Sequence, residues 1–101
     1  MKYGLPDNNL QSIKSILANY KNLHSAILYG SRAKGNFKAS SDIDLTLVGN
    51  ELTYKNLVNI LLELDDLLLP YEFDLSIHKD IDNEGLLSHI SRVGEVIYQK
   101  K

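Results

Sequence analysis

Residues 25 to 48 read SAILYGSRAKGNFKASSDIDLTLV, and they place two short apolar segments on either side of a polar one. The first apolar segment, residues 25–29, ends at a glycine, and its length and composition indicate a buried strand. The second, residues 43–48, is followed by a Gly-Asn pair and indicates another strand. The residues between them are small, polar and basic, which indicates a loop that contains one helical turn.

Helical and extended patterns flank these two strands. Apolar residues at helical spacing predict a first helix that is capped by Asp7 or Asn8. The same spacing predicts the longest helix, from a cap at Thr53 to about Leu69. The segment Glu72 to His78 alternates between apolar and polar residues, so we expect a third strand there.

The C-terminal part of the chain completes the predicted order of elements. Residues 80–83 indicate a turn that caps a last helix, which runs to about Val93, and residues 96–98 indicate a short extended tail. The order helix, strand, strand, helix, strand, helix is typical of an α/β or α+β fold with one small mixed β-sheet. With the helical turn of the loop, about four helices pack on this sheet. We expect residues 1–101 to form a single domain, because the chain is long enough for one core.

Composition excludes several classes of protein. The formal net charge is −2, so the chain lacks the basic surface expected for direct, stable nucleic-acid binding. It contains no cysteine, which excludes disulfide scaffolds and Cys-based zinc sites. No apolar run approaches the ~18 residues of a membrane span. We therefore expect a soluble, cytoplasmic protein that does not contact a membrane.

Small and basic residues follow the first predicted strand. Gly30 allows the backbone to approach an anion closely, and the Ser31 hydroxyl can donate a hydrogen bond to a phosphate oxygen. Arg32 and Lys34 add positive charge. On its own this segment is a weak signal, because most Gly-Ser turns are simply turns.

Acidic residues lie on two of the predicted strands. Asp42 and Asp44 are two residues apart, so a strand presents both carboxylates on one side. Asp74 lies within an otherwise apolar strand, where a carboxylate needs a partner. If the two strands are neighbours, the three carboxylates form one cluster. Such a cluster of oxygen ligands suits Mg²⁺ or Mn²⁺, whereas an isolated Asp-x-Asp is more often a solvated pair.

The histidines carry less information than the aspartates. His78 shares the predicted strand face of Asp74, so it is a candidate for the rim of the same site, although strand-end histidines are commonly just exposed. His24 is predicted to lie on the surface. His89, on the last helix, is predicted to be structural or exposed.

The segments GSRAKG at residues 30–35 and SDIDL at residues 41–45, followed by Asp74, resemble the signature of the polymerase-β-like nucleotidyltransferase superfamily. The short chain resembles the minimal nucleotidyltransferase branch of that superfamily, the MNT or MntA-type antitoxins. The resemblance extends over the whole chain, and it is specific because three separated segments agree in residue type, order and spacing. It implies the nucleotidyltransferase fold.

The resemblance also implies a role for the glycine-serine turn. Gly30 and Ser31 would hold the triphosphate of ATP, the expected nucleotide substrate. Arg32 and Lys34 would be auxiliary nucleotide-binding residues, although Lys34 fits a solvated loop charge equally well.

For the acidic residues, the resemblance implies metal-dependent catalysis. Asp42 and Asp44 would coordinate two Mg²⁺ ions. Asp74 would bind one of these ions and help to deprotonate the attacking hydroxyl. The reaction would be the attack of that hydroxyl on the α-phosphorus of ATP, with release of pyrophosphate and transfer of AMP.

The partner implied by the resemblance is a HEPN-domain toxin, an RNase that is silenced when one of its tyrosines receives AMP. Two alternatives remain open: a non-catalytic module that neutralises its partner by contact alone, and a nucleotidyltransferase that acts on a small molecule. Apolar residues on the outer side of the longest helix, Val58, Leu62 and Leu69, predict an interface. That interface would form a homodimer or a hetero-oligomer with the toxin.

Overall fold

A computed structural model describes all residues from 1 to 101. The chain contains four helices, four strands and one 3-10 turn at His78–Asp80. In chain order the elements are α1 (Asp7–Leu17), β1 (Ser25–Tyr29), α2 (Ser31–Lys34), β2 (Ile43–Val48), α3 (Tyr54–Asp65), β3 (Phe73–Ile77), α4 (Glu84–Val93) and β4 (Glu95–Gln99).

The four strands form one mixed sheet in the order β3-β2-β1-β4. Strand β1 pairs antiparallel with both β2 and β4, whereas β2 and β3 pair in parallel through the α3 crossover. The predicted mixed sheet with about four helices is therefore confirmed. No helix is long and apolar enough to cross a membrane.

The main core lies between one face of the sheet and the helices α1 and α3. Alternate residues of the central strands point into it, which follows from the two-residue period of a strand. The buried cluster comprises Leu5, Leu10, Ile13, Leu17, Leu23, Ala26, Leu28, Ile43, Leu45, Leu47, Leu52, Ile60, Leu64, Ile77 and Ile97. The other strand face carries the polar residues, and α4 covers part of it by packing on β1.

Helix boundaries agree with the sequence where side chains cap the helix. The Thr53 hydroxyl accepts from the Asn56 amide, and the Asn56 side chain accepts from the Thr53 amide, which forms a capping box. Asn83 caps α4 in the predicted turn. The predicted cap of α1 was wrong, because Asp7 is already helical and Pro6 occupies the cap position without a side-chain hydrogen bond.

Helix α3 ends four residues before the predicted end at Leu69. Leu68 adopts a positive φ of 55°, which breaks the helical path before the proline that follows. Leu69 is half-buried and packs against the core. Leu62 is 57% exposed, and Val58 is half-buried.

The predicted extended tail is an edge strand. Residues Glu95–Gln99 pair with β1, with an irregularity between Ala26 and Ile27. The pairing satisfies backbone groups on the side of β1 that β2 leaves open. It also fixes the position of α4, which leads directly into β4, on the polar face of the sheet.

Candidate active site

Two of the predicted acidic residues face each other across neighbouring strands. Asp44 of β2 and Asp74 of β3 are register partners in the parallel pairing, so both side chains lie on the sheet face opposite the main core. Asp42 immediately precedes β2, two residues before Asp44. Asp42 and Asp74 are exposed, and Asp44 is half-buried. The structure thus brings the predicted acidic residues to one end of one sheet face.

The pKa of the Asp44 carboxyl reflects both its burial and the neighbouring carboxylates. Burial raises the pKa of the Asp44 carboxyl, and the charges of Asp74 and then Asp42 raise it further. Like-charge repulsion in a partly desolvated site disfavours the ionised carboxylate. A cation that is shared between these carboxylates would relieve this repulsion.

The donor set of this site is suited to Mg²⁺, which prefers oxygen ligands. No group of three or more His, Asp or Glu side chains lies close enough in this structure to hold a metal ion. Asp44 and Asp74 are nevertheless register partners on neighbouring strands, and the pKa of Asp44 is raised. A divalent cation bound between them would stabilise their ionised forms. The three-carboxylate metal cluster therefore stays a prediction.

Gly30 lies directly against the Asp44 carboxylate. A Cβ atom at Gly30 would overlap with Asp44 Oδ2 and would lie 3.3 Å from Asp44 Cγ. The backbone of Gly30, with φ 77° and ψ −156°, falls in a region that is essentially restricted to glycine. Gly30 therefore packs against the Asp44 carboxylate more closely than any residue with a side chain could.

Arg32 does not lie where a nucleotide-binding residue is expected. Its side chain is only 1% exposed, and its guanidinium donates to three backbone carbonyls. Nε and Nη2 bond to Ser41 O at 3.0 and 2.8 Å, Nη2 bonds to Ala39 O at 3.2 Å, and Nη1 bonds to Tyr3 O at 2.9 Å. These contacts do not support the predicted contact of Arg32 with the nucleotide.

Aromatic rings complete the surroundings of Arg32. Its guanidinium carbon lies 4.7 Å from the ring centroid of Tyr71 and 5.4 Å from that of Phe37, which is within the range of cation–π attraction. Arg32 thus fixes the loop that connects α2 to the acidic strand β2. Lys34 is exposed, and it remains the candidate for a direct cationic contact.

Hydroxyl groups lie beside the acidic pair. Ser76 Oγ donates to Thr46 Oγ1 at 3.0 Å, and these residues are register partners two positions along from Asp44 and Asp74. Burial is the main cause that raises the pKa of the nearby Tyr29 hydroxyl, and the charges of Asp74 and Asp44 raise it further. Sequence reasoning missed the hydrogen bond between Ser76 and Thr46, because it depends on the pairing of β2 with β3.

Of the three histidines, His89 contacts the glycine-serine turn directly. The Gly30 amide donates to His89 Nε2 at 3.0 Å, and the His89 ring packs edge-on against Tyr29, with centroids 6.1 Å apart. The prediction that His89 is only structural or exposed therefore missed its contact with the turn. His78 follows β3, four residues beyond Asp74, which is about 13 Å at 3.3 Å per residue. His78 is half-buried, and its place at the rim of the site stays a candidate.

The family described as Polymerase beta, Nucleotidyltransferase matches residues 11–101. The chain belongs to this family. The match includes the glycine-serine turn and the acidic positions of the two neighbouring strands. No curated protein matches the chain.

Several solved structures share the fold of this nucleotidyltransferase domain. A toxin-antitoxin structure with AMP-PNP has a TM-score of 0.71 and 19% identity, over 96% of this chain and 76% of the other. A tri-AMPylated Shewanella oneidensis HEPN toxin in complex with MNT antitoxin has a TM-score of 0.68 and 19% identity, over 92% and 71%. A toxin-antitoxin MntA-HepT structure has a TM-score of 0.68 and 18% identity, over 94% and 74%.

Proposed function

We propose that residues 1–101 form one nucleotidyltransferase domain that transfers AMP from ATP to a tyrosine hydroxyl of a HEPN-type RNase toxin. The chain would thereby act as the antitoxin of a toxin–antitoxin pair. The observation that carries this proposal is the pairing of Asp44 with Asp74 directly beside the Gly30–Ser31 turn. The similar structures support the choice of partner and nucleotide, because they include an AMPylated HEPN toxin and a complex with AMP-PNP.

In this proposal the Gly30–Ser31 turn binds the triphosphate. Gly30 carries no Cβ, so the turn packs directly against Asp44 and brings the amides that follow it beside the acidic pair. The amides of the first turn of α2 have no helical acceptor of their own, and the Ser31 hydroxyl is a further donor. Lys34 is exposed at the end of the same turn and can approach the outer phosphates.

Asp42, Asp44 and Asp74 would hold two Mg²⁺ ions. When bound, these ions stabilise the charge that develops on the α-phosphate and on the leaving group. Asp74, which is exposed, accepts the proton of the incoming hydroxyl. The hydroxyl oxygen forms a bond to the α-phosphorus, the bond from the α-phosphorus to the bridging oxygen breaks, and pyrophosphate leaves with that electron pair.

The test is the transfer of label from α-³²P-ATP to the co-purified toxin in the presence of Mg²⁺. Replacement of Asp44 by asparagine removes a metal ligand with little change in volume. We expect transfer to fall by at least about 100-fold, because a catalytic metal contributes several kcal/mol and each 1.4 kcal/mol is about tenfold in rate. Asp65→Asn is the matched control, since this exposed carboxylate lies at the end of α3 on the other side of the sheet.

Three results would contradict all or part of the proposal. The first is undiminished transfer by the Asp44→Asn variant. The second is full neutralisation of the toxin RNase activity in the absence of ATP and with no label on the toxin, which would identify a contact-only binding module. The third is label on a small molecule instead of the toxin. It would overturn the proposed acceptor but not the nucleotidyl transfer itself.

A further inference from the structure

Helix α4 contacts the Gly30–Ser31 turn through His89. His89 extends from α4 to the Gly30 amide, which donates to His89 Nε2 at 3.0 Å. The contact joins residues that are 59 positions apart in the chain. His89 also packs edge-on against Tyr29, the residue before Gly30, with an interplanar angle of 80°. The imidazole therefore contacts both the last residue of β1 and the glycine that follows it.

The direction of this hydrogen bond defines the state of the imidazole. Because the Gly30 amide is the donor, Nε2 must offer a lone pair, and the ring proton must reside on Nδ1. The contact is partly buried, so removal of the acceptor would leave the amide without its partner and would destabilise the turn.

The conformation of Gly30 makes such an anchor useful. Glycine readily adopts positive φ angles, but it also loses the most conformational freedom when it is fixed in one conformation. The observed backbone angles place the Gly30 Cα against the Asp44 carboxylate. A fixed acceptor on α4 restricts the peptide between Tyr29 and Gly30, and so restricts how the turn meets Asp44.

We propose that His89 is a positioning residue that holds the Gly30–Ser31 turn in its nucleotide-binding conformation by accepting the Gly30 amide. This inference rests on the proposed function of the turn. His89 acts through the backbone of Gly30 and takes no proton from the substrate. Helix α4 is thereby part of the catalytic unit, whereas sequence alone places it outside.

Replacement of His89 by glutamine and by leucine separates the effect of its hydrogen-bond acceptor from the effect of its packing. The glutamine side chain can present its amide oxygen near the position of Nε2, whereas leucine fills space without an acceptor. We expect His89→Leu to raise the KM for ATP about tenfold, which corresponds to about 1.4 kcal/mol, and His89→Gln to remain within about threefold of the unchanged protein. His24→Leu is the control, because His24 is exposed and precedes β1.

Nuclear magnetic resonance of the ¹⁵N-labelled full chain gives a readout that is independent of activity. The unchanged protein should show a trans-hydrogen-bond ¹⁵N–¹⁵N coupling between the Gly30 amide and His89 Nε2, and imidazole shifts of the tautomer protonated at Nδ1. The Gly30 amide resonance should move upfield in His89→Leu and should stay close to its position in His89→Gln.

The outcomes distinguish this inference from the proposed function. An absent coupling in the unchanged protein, or an equal loss in the leucine and glutamine variants, overturns the role of His89 as the acceptor. A Gly30 resonance that moves without any rise in the KM for ATP overturns its role as a positioning residue. If the unchanged protein transfers no AMP, the proposed function fails, and the resonance measurements still decide whether His89 holds the turn.

Discussion

Replacement of Gly30 by alanine should disrupt the site through two separate costs. The first is backbone strain, because the Gly30 angles of φ 77° and ψ −156° are unfavourable for any residue with a side chain, by about 1–3 kcal/mol. The second is steric, because the new Cβ would overlap with Asp44 Oδ2, and rotation of that carboxylate off its rotamer costs about 0.5–1.5 kcal/mol. The combined loss in the free energy of unfolding is about 3 kcal/mol.

Gly35→Ala provides the matched control. Gly35 also has a positive φ, 91°, but no atom lies within 4 Å of the position that a Cβ atom would take there. Its replacement should therefore cost only the backbone term, about 1–2 kcal/mol. The difference of about 1–2 kcal/mol should lower the midpoint of thermal unfolding for Gly30→Ala by a further 4–16 °C or so, since about 4–8 °C per kcal/mol is typical of a domain of this size.

Thermal and urea unfolding, together with the α-³²P-ATP transfer assay, would test this comparison. We expect Gly30→Ala to lose transfer because the Asp44 carboxylate is displaced, and Gly35→Ala to retain most of it. Equal stabilities of the two variants would refute the close packing of Gly30 on Asp44. Full transfer by a folded Gly30→Ala variant would refute the need for that packing in catalysis.

Three further changes test the surroundings of the site. Thr53→Ala should lower the free energy of unfolding by about 1 kcal/mol through loss of the capping box, with unchanged transfer, as measured by urea unfolding and the label assay. Arg32→Lys should cost about 3 kcal/mol in urea unfolding, because an ammonium group cannot serve the three carbonyls that the guanidinium reaches. Burial, and then the hydrogen bond to Glu63, raise the pKa of Tyr20 to about 12, so absorbance titration of Tyr20→Phe should lack the latest-titrating tyrosine. Because the raised pKa favours the neutral phenol in the folded state, the contact stabilises the fold below about pH 10, and this contribution is lost as the pH rises towards 12.

Local patterns in the sequence predicted most of the fold. The bounds of β1 and β2 agree with the predicted segments, because short apolar runs flanked by glycine or polar residues leave few alternatives. The end of α3 was wrong, since apolar spacing continues to Leu69 while the backbone already turns at Leu68. Strand β4 was missed as a strand because its pairing partner lies about 70 residues earlier, and a pattern within five residues carries no information about such a partner.

The acidic positions were predictable for a different reason from the rest of the site. Asp42 and Asp44 share a side of one strand by their spacing alone, and Asp74 is conspicuous within an apolar strand. The role of Arg32 could not be predicted from the sequence, because its hydrogen-bond acceptors are backbone carbonyls, which every residue possesses. The role of His89 could not be predicted either, because its contact with Gly30 depends on how α4 crosses the sheet.

The arrangement of charges explains why the site should depend on a cation that the chain does not supply. Arg32 is the only fully buried positive charge near the turn. Its guanidinium already donates to backbone carbonyls. Asp44 and Asp74 lie on the sheet face beside the turn, Asp42 immediately precedes β2, and a triphosphate bound there as proposed would bring further negative charge. Burial and the charges of Asp74 and Asp42 already raise the pKa of Asp44, and Lys34, exposed to solvent, offsets little of the added repulsion. The same carboxylates that hinder the free nucleotide would attract its magnesium complex, so the acidic pair would select for the metal-bound form of ATP before any chemistry begins.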